Sequence, residues 1–287
     1  MRKQIYRQIS NFLANKKLVR GFTISELLVA IGLLAVVLAA STTIFHYSIE
    51  AQRTAMATTE IMHSLRAITD QLNADFAGLR KDDAPMIMGF HGSLADSNRA
   101  DSIVFFAAGD FQDANGVVRG NIARIYYGQA GMPPDTNVVD PNKILVRKQV
   151  ILAPAESSST NEYEPNSLSQ LVNKYLAGDP NIPNSYIAKH KWIVRPKIDP
   201  TNAGSISMYL AKDVNDFAIM YCYKTDITGG SINWRRPVNE KGYFGLIPRY
   251  SYFKQYPDLV KFTFTIYDSK GILKQGRKFE HIVYIGN

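Results

Sequence analysis

The chain has 287 residues, 46% of them hydrophobic, and a formal net charge of +8. Length and apolar share fit one large globular domain or two small ones. Arg2, Lys3, Arg7, Lys16, Lys17 and Arg20 carry six of the eight net charges, leaving +2 for the rest, so the basicity is a positive-inside topology signal and no nucleic-acid partner is expected.

Residues 1–21 hold no acidic side chain. Their spaced apolar positions, Ile5, Ile9, Phe12 and Leu13, are compatible with a short amphipathic helix, but a disordered cytoplasmic leader is the preferred reading. Phe22 to Phe45 follows. As a helix it spans about 36 Å, enough to cross a bilayer core. Leu27 to Ala40 contains no polar side chain, yet Glu26 sits at its mouth. A carboxylate at the bilayer centre costs about 2.5–3.5 kcal/mol on insertion scales, and less near the interface. A cation must offset that cost. The nearest candidate is a freed α-amino group at Phe22. The competing reading is an ordinary secretory signal, cut near the small residues Ala39, Ala40 and Ser41. Glu26 argues against it, because an apolar signal core carries no acid near its start.

The helical pattern continues past the membrane edge. Ile61, Leu65, Ile68, Leu72, Phe76 and Leu79 recur at spacings of three and four, one apolar stripe on a helix. Glu60, His63, Arg66, Asp70, Gln71 and Asp75 are placed on the other faces. No proline interrupts Phe22 to Asp83. One long helix is expected over 22–79, apolar all round in its first half and amphipathic in its second, ending at Gly78 and the polar run 80–85.

The conjunction Gly21-Phe22-Thr23 with Glu26, leading the run Leu27 to Leu38, resembles the class III signal of type IV prepilins and type II secretion pseudopilins. The motif covers about a tenth of the chain. The resemblance implies that a prepilin peptidase cuts between Gly21 and Phe22 and methylates Phe22. It also implies that Glu26 pairs with the terminal amine of a neighbouring subunit during assembly.

From Asp101 the period becomes two. Ser102 to Ala107, Asn121 to Tyr127 and Ile144 to Leu152 read as strands, with a hairpin connection through Gly109-Asp110 to Asn115-Gly116. Residues 131–142 and 154–167 read as surface loops, and 168–176 as a possible short helix. Ile206 to Leu210 and Asp216 to Tyr223 are strand-like. A Gly229-Gly230 turn precedes Trp234. Leu259 to Tyr267 alternates, with Val260, Phe262, Phe264 and Ile266 on one face. Asp268 to Gly271 turns the chain and Arg277 to Ile285 returns. The order Val214, Phe217 and Tyr221, then Trp234, then Leu259 to Phe264 and a closing hairpin, resembles the J-type minor pseudopilins of type II secretion and the related W-type minor pilins. Leu72 to Phe76 also fits that family.

Little else carries chemistry. No two of His46, His63, His91, His190 and His281 stand at i, i+4, so no metal site is expected. There is no G-x-S-x-G elbow, P-loop or dinucleotide fingerprint. Asp110, Asp113 and Asn115 with Gly116 faintly suggest a calcium loop, but a turn is the better reading. Asp82-Asp83 reads as a solvated helix exit. Cys222, alone in its chain and inside the apolar run 217–223, reads as a small buried hydrophobe. Tyr243, Phe244, Arg249, Tyr250, Tyr252, Phe253, Lys254 and Tyr256 form either a partner surface or buried packing.

The expected fold class is α+β and pilin-like, a long N-terminal helix packed on an antiparallel β-sheet head. The expected domains are a leader over 1–21, the helix over 22–79 with a transmembrane part over 22–45, and an extracytoplasmic head over 80–287 with loop insertions over 128–190. The resemblance implies a structural minor pseudopilin at a pseudopilus tip, helping to initiate assembly, with no catalytic residues and no cofactor. Its partners would be the prepilin peptidase, other pseudopilins or pilins, and the bacterial inner membrane, with the head in the periplasm. A minor pilin of a type IV pilus is the alternative within this class. A signal-anchored periplasmic enzyme or binding protein is the alternative outside it.

Overall fold

The computed structural model describes residues 21–81, 86–90, 99–113, 116–131, 143–152, 163–164, 195–199, 201, 203–237, 249–253 and 256–285. The chain divides into two units, 1–53 and 54–287. One α-helix runs unbroken from Ile24 to Ala77. Leu and Ala dominate its first half and no proline interrupts it, which is what a helix of this length requires.

In the second unit the helix buries Ile61, Ile68, Leu72 and Phe76, with Leu65 packed beside them. The expected stripe is therefore the face that meets the sheets. Gly78 ends the helix, where a Cβ would collide with the Ala108 carbonyl. Ala108 donates its N–H to the Gly78 carbonyl at 2.6 Å, and Arg80 donates to Phe106. The chain thus passes directly from the helix onto the sheet.

That sheet is built from β1 (Met86–Phe90), β2 (Ser102–Gln112), β3 (Arg119–Gln129), β4 (Leu145–Leu152), β5 (Tyr163–Glu164), β6 (Tyr209–Ala211) and, after β7 (Val214–Cys222), β8 (Ile227–Thr228) and β9 (Ser231–Ile232), β10 (Arg249–Phe253). Its order is β10-β1-β2-β3-β4-β5, with β6 also on β4. All described pairings in it are antiparallel except β4 with β5. A second sheet has the order β12-β11-β7, with β11 at Leu259–Ile266 and β12 at Arg277–Tyr284. β8 and β9 form a small hairpin whose turn, Gly229-Gly230, has positive φ at both residues, as such a turn demands.

The large sheet is covered on both faces. Met88, Ile103, Phe105, Ile125 and Tyr127 face the helix and the second sheet. Ile87, Val104, Phe106, Tyr126 and Val146 face the other way, against Ile198 and Met208. Two-sided burial explains why Ile103 to Ala107 is apolar without alternation. In β11 one face, Val260, Phe262, Phe264 and Ile266, is buried as expected. Phe76 of the helix packs on Phe105 and Phe262, one ring from each sheet, at centroid distances of 4.4 and 5.7 Å. Those offset and edge contacts are the favourable aromatic geometries.

Several local expectations need correction. Asp75 is not on a solvent face: it is 5% exposed. Arg147 of β4 grips its carboxylate through Nε at 2.6 Å and Nη2 at 2.7 Å, and the Tyr127 hydroxyl donates to it. The apolar stripe allowed this, since Asp75 adjoins Phe76 and its partner lies 72 residues away. Gly109-Asp110 is inside β2, which continues to Gln112 across an irregularity between Ala108 and Phe111. The turn falls later, where Asp113 accepts the Val118 N–H at 2.9 Å and Gly116 takes positive φ. Ala203–Ile206 is a short helical turn, with the strand only from Tyr209. β1 and β10 escaped sequence reading altogether. The expected helix over 168–176 and the Asp82-Asp83 helix exit lie outside the described residues.

Candidate functional site: the amino-terminal helix

Thr23 precedes the first helical residue, and its backbone carbonyl accepts the first helical hydrogen bond, from Leu27 N–H at 3.1 Å. The Thr23 hydroxyl faces the Glu26 N–H at 3.2 Å, while the Glu26 carboxylate accepts the Thr23 N–H and hydroxyl, each at 2.9 Å. This is a reciprocal capping box. Two of the donors orphaned at any helix start are satisfied in this way. The sequence signal, Thr23-x-x-Glu26 before an apolar run, was there to read, and it gives Glu26 a local structural job alongside any intermolecular one.

Gly21 has open space around the position a side chain would take. Phe22 is 78% exposed. From Leu27 to Phe45 every large apolar side chain of the helix is exposed, including Leu33, Leu34, Val36, Val37 and Ile44. Among the described residues this helix alone is long and apolar enough to cross a membrane. An all-round apolar helix needs a non-aqueous environment. Two threonines at the far end fit one: Thr42 donates to the Leu38 carbonyl at 2.8 Å and Thr43 to Ala39 at 3.0 Å, so neither needs water.

The three expected site residues thus lie within six positions of each other at one helix start, with the acid held by Thr23. No group of three or more His, Cys, Asp or Glu side chains suited to a metal exists among the described residues. Cys222 is a free, buried thiol. Burial pushes it up, which disfavours the thiolate. His281 shares a 2.9 Å hydrogen bond with Asn73 of the helix. His91 and His190 lie outside the described residues, as do Tyr243, Phe244 and Lys254. Phe253 and Tyr256 of the aromatic tail are buried in the core, the packing alternative of the two considered.

Residues 16–42 match the family model of the prokaryotic N-terminal methylation motif. No curated protein matches the chain. Among solved structures, the chain is similar to one in the crystal structure of the GspK-GspI-GspJ complex from the enterotoxigenic Escherichia coli type 2 secretion system. Identity is 10%, the match covers 79% of this chain and 99% of that chain, and the TM-score is 0.37. That likeness is too distant to carry an assignment.

Proposed function

We propose that the chain is a prepilin-type assembly subunit, a minor pseudopilin of a type II secretion pseudopilus, and not an enzyme. The observation that carries this reading is the methylation motif over 16–42, with one carboxylate, Glu26, at the head of an otherwise apolar, fully exposed helical run. In the proposal a prepilin peptidase of the bacterial inner membrane cuts between Gly21 and Phe22 and methylates the new terminus. The helix holds the subunit in that membrane in a single pass, with the head in the periplasm. The head then sits at the tip and helps to initiate assembly with other pseudopilins.

The physics of the assembly step follows from the site. Among the described residues, the partners of the Glu26 carboxylate are the neutral donors of Thr23. A neighbouring subunit's terminal amine offers a charged partner in surroundings of weak screening, where the attraction is far stronger than in water. The amine replaces weaker contacts and fixes the axial register of the two subunits.

Glu26→Ala tests the proposal. Cleavage at Gly21 should persist while secretion, or piliation if the fibre is a type IV pilus, is lost. Intact function in that variant, or full activity of residues 46–287 alone, would contradict an assembly role.

A further inference from the structure

We draw no further inference here: the strongest candidate, the exposed apolar patch that Ile282 and Tyr284 of β12 form beside Lys261 and Trp234 on the face of the second sheet turned away from the helix, is a sheet face for which nothing in the structure shows what covers it.

Discussion

Asp75 shows how one side chain can govern a helix. It lies on the buried face of the long helix, between Leu72 and Phe76, where a lone charge would not be tolerated. Arg147 supplies a two-point grip and Tyr127 a third hydrogen bond. Burial and the Asp75 carboxylate push the Tyr127 phenol up, so it remains a donor throughout the working pH range. Asp75→Ala should cost about 3 kcal/mol in urea unfolding, because it removes the carboxylate from the partly buried Arg147 guanidinium and leaves it to Gln149. Replacing both partners, Asp75→Leu with Arg147→Met, should recover most of that loss, since a well-packed apolar pair avoids desolvation altogether. A double variant no better than the single one would show that the residues act independently. At the other end of the helix Glu26 is the contrasting acid, held by Thr23 and otherwise surrounded by exposed apolar side chains.

At the scale of elements, the connection between β11 and β12 is organised by Asp268. The sequence read Asp268 to Gly271 as a tight hairpin, and Gly271 does take positive φ there. The loop runs on to Gly276, however, because the Asp268 carboxylate gathers the amides of Ile272 and Leu273 at 2.7 and 2.9 Å. Burial alone would raise this carboxyl, but those backbone donors outweigh it and hold it below its ordinary value of 3.8. The group therefore adds stability that is complete above that value and is lost as pH falls through the lower folded one. Asp268→Asn should flatten the acid side of the stability curve below about pH 4 and leave its shape near neutrality unchanged, measured by denaturant midpoints across pH. An unaltered acid limb would remove Asp268 from the account.

The elements that sequence reading found are those with a local period. The helix announced itself by a three-and-four stripe, and β11 by strict alternation. β1 was invisible because Met86 to Phe90 carries a glycine and no alternation, and one of its two partners, β10, lies some 160 residues later. Both owe their strand state to pairing with other strands, which leaves no imprint on either segment alone. Asp75 failed for a related reason: its acidic character says solvent, and only the distant Arg147 says otherwise. The Thr23–Glu26 box is legible in the sequence as Thr23-x-x-Glu26 ahead of an apolar run.

For the whole molecule, the two units place different demands on the chain. The second is an α+β body whose core is closed by Phe76, Phe105 and Phe262. The described part of the first is an apolar helix exposed along its length, which calls for cover by lipid or by other helices. The proposed subunit, in a membrane before assembly and in a fibre after it, would meet both requirements with one surface. On the proposed function the acid at its start supplies register, which an unmarked apolar helix lacks.

Mass spectrometry of the mature amino terminus tests this account most directly. The account predicts a polypeptide that begins at Phe22 and is heavier by one methyl group on its terminal nitrogen. A chain beginning at Ala40 or Ser41, or one that keeps Met1 in assembled fibres, would contradict it.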